Sequence, residues 1–354
     1  MMARVLFERR YESACFHNPL KNGELDAQQI EIRLDPLIGH QSIFNSAIEG
    51  KSALLFPDTD VEYLKQRSEA TKQKCFLCEG RWREMTPRYG SSILPEGRLI
   101  RGGVVLFPNL FPLSAVHAVV MLGERHHRSL DDFPPELLYD AFAVSVEFIR
   151  RCADADPETA FFTINANYLF PAGASVVHPH FQVLGSRYPG THHRLLLDRS
   201  FDYLSANGSC YWSDLIAAEK KAGERLIGSL DGCEWLTAFS PLGSNEVNGV
   251  WPDSRHFLEW TDTELRGASE GMSRVLRAYH GMKLSTFNMS CFSGPINRSG
   301  PEFRCMLRLV NRQNVAPHYR ADDYYFQKLL KNEIIVRRPE ELASFIRGYF
   351  KAFL

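Results

Sequence analysis

Ala172-Gly173-Ala174-Ser175-Val176-Val177-His178-Pro179-His180-Phe181-Gln182 sets two histidines and a glutamine at alternate positions behind a run of small residues. Alternate side chains of an extended strand share a face. The spacing therefore predicts His178, His180 and Gln182 on one side, with Pro179, Phe181 and Val183 on the other, packed under a helix. Two imidazoles and an amide beside a glycine turn are suited to holding and attacking a phosphate. A neutral imidazole is nucleophilic and becomes a good leaving group once phosphorylated, provided its second nitrogen donates a hydrogen bond that fixes the tautomer. His180 is the expected nucleophile. Gln182 can donate its amide to a non-bridging phosphate oxygen, and Ser175 with the backbone amides around Gly173 adds further donors. The plain alternative for a lone histidine is a surface strand position; the His-x-His-x-Gln pattern behind Ala-Gly-Ala-Ser favours the site.

Cys75-Phe76-Leu77-Cys78 supplies two thiolates at a spacing that closes on one zinc ion, which then needs two further ligands. His126 and His178 are the expected pair. His127 could replace His126, and His117 is a further option. If His178 ligates the ion, it is pinned two residues from the nucleophile, and the metal orders the strand without touching substrate. The competing reading is a pair of reduced cysteines in a turn.

These groups need a scaffold, and 354 residues suffice for two domains or one large duplicated unit. Hydrophobic residues make up 44% and mean hydropathy is -0.25, the values of a packed, soluble protein. No apolar run is long enough to span a membrane, and the first ten residues mix charges into their apolar positions, unlike a signal peptide. A formal net charge of -1 gives no basis for a nucleic-acid groove. Eight cysteines in a chain this long do not form a disulfide framework, so the expected location is cytoplasmic.

An apolar stripe of Leu138, Phe142, Val146 and Ile149 predicts a helix, with Ser129 or Asp131 as its cap and Pro134 and Pro135 in its first turn. Strand-like runs at 103–107, 118–122, 160–164 and 176–184 flank it. The second half repeats the order: Trp235–Ser244 echoes Val105–Ser114, a helix is expected over 262–279, and strands over 285–292 and 303–310. Its last strand has Arg304 and Arg308 but no histidine, so one copy is expected to be catalytic and the other a substrate wall. Residues 187–231 read as linker plus irregular helix, and 339–350 as a closing helix. The expected organisation is a catalytic half over 1–200, a connecting segment over 201–230 and a degenerate half over 231–354.

The set His178-Pro179-His180-x-Gln182 after Gly173-Ala174-Ser175 resembles the active site of galactose-1-phosphate uridylyltransferases, in the histidine-triad superfamily. Arg33-Leu34-Asp35-Pro36-Leu37-Ile38-Gly39 resembles the family's early Arg-x-Asp/Asn-Pro-Leu-Thr-Gly. Phe107-Pro108-Asn109-Leu110-Phe111-Pro112 resembles its Asn-x-Phe-Pro nucleotide loop. Cys75-x-x-Cys78 fits its zinc pair, Asn167 an asparagine ahead of the glycine loop, and Phe287-Asn288-Met289-Ser290 its second half. The resemblance implies an α+β, duplicated histidine-triad-like fold with antiparallel sheets and helices packed on one face. It implies ping-pong transfer of a nucleoside monophosphate, UMP before AMP, between a nucleotide sugar and a sugar 1-phosphate. His180 would be the covalent nucleophile; Gln182 and Ser175 would hold the phosphate, Arg33 and Asn167 would support it, and Asn109 would contact the nucleoside. Cys75, Cys78, His126 and His178 would hold zinc, and the chain would form a homodimer.

Four positions depart from the family pattern. Phe181 stands where a small residue is usual, Leu110 where an acidic one can occur, and Arg304 and Arg308 where galactose enzymes use histidines for a second metal and the hexose. The acceptor therefore need not be galactose 1-phosphate. A phosphorylase using inorganic phosphate is the second reading, since Arg304 or Arg308 would suit any anionic acceptor. A zinc-stabilised nucleotide-binding protein without turnover is the third.

Overall fold

Two sheets with helices against them organise the computed structural model, which describes residues 5–49 and 56–351. A hairpin comes first, β1 (Arg9–Asn18) and β2 (Glu24–Leu34), then β3 (Gln41–Asn45) and helix α1 (Val61–Lys72). β4 (Leu99–Arg101), β5 (Val104–Pro108), β6 (Val116–Leu122), α2 (Pro135–Ala155), β7 (Phe161–Tyr168) and β8 (His180–Ser186) follow. After α3 (Thr191–Asn207) and α4 (Tyr211–Ala222) come β9 (Leu226–Leu230), β10 (Cys233–Thr237), β11 (Val247–Val250) and α5 (Asp262–Gly281). β12 (Phe287–Phe292), β13 (Met306–Asn311), β14 (Asn332–Ile335) and α6 (Pro339–Lys351) follow, with a few single-turn helices between the elements.

The larger sheet has ten strands in the order β4-β5-β6-β8-β7-β12-β13-β11-β10-β9. Outward from the β7–β12 seam, each half therefore repeats the other, and all neighbouring pairs are antiparallel. One face is apolar in both halves and carries α2 and α5. Phe181 and Phe142 meet there with ring centroids 5.4 Å apart, as the alternation predicts. Tyr168 and Phe287 stack across the seam at 5.4 Å. The opposite face is covered differently in each half. Leu196, Tyr211 and Trp212 from α3 and α4 lie on Leu236, Val250 and Met306, whereas Leu77 and Trp82 lie on Val105, Phe107 and Met121. Among the described residues no helix is long and apolar enough to cross a membrane.

Several expectations shift for local reasons. α2 starts at Pro135 with Pro134 as its extended N-cap, while Ser129 and Asp131 bond each other. A residue before proline is forced out of helical geometry, so the helix cannot begin upstream of the pair. β8 begins at His180 rather than Val176, because Pro179 has no N–H for the ladder; its carbonyl still accepts from Leu122 N–H at 3.0 Å. Residues 187–231 are mostly regular, forming α3, α4 and β9. Both helices end on glycines in the left-handed region, Gly208 and Gly223, a stop signal readable in the sequence. The boundary expected at residue 200 falls inside α3, and Leu226–Leu230 is the outer strand of the second half.

The smaller sheet runs β1-β2-β3-β14, with β14 parallel to β3. It is pinned to the second half through Arg33. The Arg33 side chain is 1% exposed and donates to Glu31 at 2.8 Å, to Glu340 at 2.8 Å and to the Phe239 carbonyl at 3.4 Å. Its guanidinium lies 4.4 Å from the Phe44 ring centroid and 5.0 Å from that of Phe239.

In the second half the packing leaves no room above Trp235. A Cβ added to Gly271 of α5 would collide with that buried indole. Gly271→Ala should destabilise the protein by about 1–3 kcal/mol in urea unfolding, the usual range for overpacking. An unchanged midpoint would contradict this packing.

Candidate functional site

Loop 75–78, the exit of β6 and the approach to β8 converge on one buried cluster. The ligand atoms of Cys75, Cys78, His126 and His178 all lie within 4.8 Å of one another. His178 Nδ1 is 3.8 Å from Cys75 Sγ and 3.4 Å from Cys78 Sγ, and His126 Nδ1 is 3.2 Å from Cys78 Sγ. Ligand–ligand edges of roughly 3.3–3.8 Å are what a tetrahedral ion with bonds of about 2.0–2.3 Å requires. Each ring's far nitrogen is also occupied. His178 Nε2–H donates to the Gly123 carbonyl at 2.7 Å, and His126 Nε2–H donates to Thr71 Oγ1 at 2.9 Å. The Thr71 hydroxyl in turn donates to the Arg67 carbonyl at 2.8 Å. Both imidazoles are thus held with Nδ1 towards the sulfurs.

The electrostatics agree with a metal. Burial pushes His178 down to about 4, which keeps it a neutral ligand. Burial, with Cys75 beside it, pushes the Cys78 thiol up to about 12, so two thiolates here call for a cation between them. His127 is not part of the cluster; it stacks on Tyr168 with centroids 6.4 Å apart.

His180 opens β8 and is 8% exposed. Its Nδ1–H donates to the His178 carbonyl at 2.9 Å. This leaves the Nε2 lone pair as the reactive position, and burial holds the ring below the ordinary imidazole value and hence neutral. His178 itself lies before the strand and turns its ring to the sulfurs, so the expected shared face starts at His180. Gln182, two residues on, accepts at Oε1 from His117 Nε2–H at 2.7 Å.

The glycine loop is held by the second half. Gly173 has φ +87°, open to glycine but strained for other residues. Asn288 Nδ2 donates to Asn167 Oδ1 at 2.7 Å and to the Ala172 carbonyl at 2.8 Å. Arg312 donates to Asn288 Oδ1 at 2.7 Å and pairs with Asp322 at 2.6 Å. Ser175 is exposed and lines a cavity of about 160 Å³ with Arg67, Thr71, Lys74 and His126. A larger cavity of about 510 Å³ lies on the far side of Asn288, walled by Arg312, Arg320, Asp322, Tyr324 and Glu333.

Asn109 sits on the other side of Gln182. Its Oδ1 accepts from Phe111 N–H at 2.9 Å, and its Nδ2 lies 3.1 Å from His117 Nε2. Arg33 is not gathered here: its donors are taken by Glu31 of β2 and Glu340 of α6. Nor are the two second-half arginines presented to an acceptor. Arg304 donates to the carbonyls of Pro252, Pro301 and Phe303, and Arg308 lies between Glu246 and His192. Sequence reasoning missed Thr71 and Arg312, and it singled out Asn288 only within the Phe287–Ser290 motif; their roles depend on contacts between distant segments. It weighed His117 only as a metal ligand, although Asn109 and His117 flank the same hairpin.

No family model matches the chain. An uncharacterized protein of Archaeoglobus fulgidus is 33% identical over 330 residues, 93% of this chain and 94% of its own. Among solved structures, an ADP-glucose phosphorylase from Arabidopsis thaliana with bound ADP-glucose superposes with a TM-score of 0.68 at 19% identity, covering 90% of this chain and 98% of that one. A mutant uridylyltransferase gives a TM-score of 0.65 at 18% identity over 91% of this chain and 98% of its own.

Thr71 offers a clean test of the cluster, since it touches a ligand but supplies none. Thr71→Val should weaken metal retention about 10- to 100-fold in chelator competition, as loss of an outer hydrogen bond does elsewhere. Retention equal to the wild type would show that the His126 orientation does not depend on it.

Proposed function

The chain belongs to one family with the Archaeoglobus protein and has the galactose-1-phosphate uridylyltransferase-like fold of the histidine-triad superfamily, and on that premise we propose that it transfers a nucleoside monophosphate through His180. The observation that carries this reading is the single hydrogen bond from His180 Nδ1–H to the His178 carbonyl, 2.9 Å long, in a buried neutral ring. It turns Nε2 into a fixed nucleophile beside a glycine loop.

In the first half-reaction Nε2 attacks the α-phosphorus of a nucleotide sugar. A P–N bond forms, the P–O bond to the sugar phosphate breaks, and the sugar 1-phosphate leaves with that electron pair. The ring then carries positive charge, and the Nδ1–H bond to the His178 carbonyl strengthens as it develops. Gln182 and Ser175 donate to the non-bridging oxygens, which gather charge in the transition state. Asn109 faces the nucleoside, and Asn167, held by Asn288, supports the phosphate side. In the second half-reaction an acceptor oxygen attacks phosphorus, and the P–N electrons return to Nε2. UMP is the preferred nucleotide and a sugar 1-phosphate the preferred acceptor.

Inorganic phosphate is the second acceptor, and one feature favours it. Arg67 and Lys74 line the cavity beside Ser175, and neither is ion-paired among the described residues. The space is small and basic, suited to a compact anion.

Zinc suits the donor set of two thiolates and two imidazoles, with Cys75, Cys78, His126 and His178 filling its tetrahedron. When bound, it supplies a rigid anchor for the approach to β8. The chain's own residues carry the transfer.

Intact-protein mass spectrometry after brief incubation with UDP-glucose, UDP-galactose or ADP-glucose tests the reading. An adduct of UMP or AMP mass is expected on the wild type and not on His180→Ala. Discharge by a sugar 1-phosphate or by inorganic phosphate then names the acceptor. No adduct from any donor, in metal-loaded protein, would overturn nucleotidyl transfer through His180.

A further inference from the structure

We infer that His117 is a positioning residue whose imidazole fixes the Gln182 amide so that its NH2, not its oxygen, faces the phosphoryl group. The inference rests on nucleotidyl transfer through His180. It starts from a group that cannot exchange roles: the backbone N–H of Leu113 donates to His117 Nδ1 at 3.1 Å. A neutral imidazole accepting at Nδ1 carries its proton on Nε2. Nε2–H therefore donates, and its partner at 2.7 Å is Gln182 Oε1. The two N–H bonds of the Gln182 amide are then turned away from His117. Asn109 does not disturb this sequence. Its Oδ1 is taken by Phe111 N–H, so its Nδ2, 3.1 Å from the same ring nitrogen, takes no proton from it.

Without His117 the Gln182 amide can rotate by half a turn. Its carbonyl oxygen would then face a non-bridging phosphate oxygen, lone pair against lone pair. One backbone amide thus sets a histidine tautomer, and the tautomer sets the polarity of a glutamine on the neighbouring strand.

The other half of the sheet places a holder at the equivalent position. Val119 lies opposite Gln182 in the β6–β8 ladder, and His117 is two residues before Val119. Asn248 lies opposite Arg308 in the β11–β13 ladder, and Glu246 is two residues before Asn248. Glu246 Oε1 is 2.8 Å from Arg308 Nε, and both side chains are largely buried. An acid holds a cation in the half without a nucleophile. A donor holds an amide oxygen in the half with one, leaving the amide donors free for an anion.

A double-mutant cycle on the first half-reaction is the test, using rapid-quench detection of the nucleotidyl-His180 adduct in metal-loaded protein. His117→Leu is expected to slow adduct formation roughly 10- to 100-fold, the scale of losing one transition-state donor, with little change in the donor concentration giving half-maximal rate. In a Gln182→Ala background the same substitution should have no further effect, because its action passes through the amide. His117→Gln, which retains a donor, should recover part of the rate. Additive losses in the double mutant, or no rescue by His117→Gln in protein with unchanged metal content and melting temperature, would overturn the inference. If His117→Leu fails to fold, the comparison of His117→Gln with His117→Glu decides. The acid cannot donate, so equal rates for the two would also overturn it. A wild type that forms no adduct would instead sink nucleotidyl transfer itself.

Discussion

His178 is bound on three sides: Nδ1 faces the sulfurs of Cys75 and Cys78, Nε2–H meets the Gly123 carbonyl, and its own carbonyl accepts from His180. The first tie joins the segment ahead of β8 to a loop about a hundred residues upstream, and the second joins it to the exit of β6. The third transmits that fixity to the His180 ring, the nucleophile of the proposed transfer. Pro179, between the two histidines, can neither donate to the ladder nor vary its φ freely, so little slack remains between anchor and reactive ring. A metal in this cluster therefore acts at a distance of two residues, through a carbonyl.

The sheet supplies the rest by meeting itself. At the β7–β12 seam Asn167 stands opposite Asn288 and Asn165 opposite Ser290, and both pairs are hydrogen-bonded at 2.7 and 2.9 Å. The second half thus holds the glycine loop of the first without supplying a nucleophile. Its own equivalent face is closed. Met306 stands two residues before Arg308, as His180 does before Gln182, and α3 and α4 lie over it. Burial, then the Arg308 charge, pushes His192 down to about 3, so the ring beside Arg308 is a neutral acceptor. The same framework carries the proposed reaction surface on one side of the seam and a packed core on the other.

The sequence disclosed the elements whose signals are local. Alternation in β8, the Cys-x-x-Cys spacing and the stripe on α2 all report neighbours within one turn or one strand; the repeated order of elements points to the duplication, and the family resemblance to the fold class. A motif shows the residue types around Arg33 but not the burial of its guanidinium against Glu340, some three hundred residues away. Period-two alternation in the sequence runs through His178, but the strand begins at His180, past a proline that cannot join the ladder. α3 and α4 were hidden by polar composition, although Gly208 and Gly223 marked their ends. Roles that depend on tautomers, as at His117, have no sequence signal at all. They arise only when Leu113 N–H and Gln182 Oε1 arrive on opposite sides of one ring.

The most direct test of the account is long-range ¹H–¹⁵N correlation of the histidine rings in metal-loaded, ¹⁵N-histidine-labelled protein. His180 should be protonated at Nδ1 with a bare Nε2, and His178 should be metal-bound through Nδ1 with its proton on Nε2. A proton on His180 Nε2, or metal bound through Nε2 of His178, would contradict the chain of contacts from the cysteines to the nucleophile.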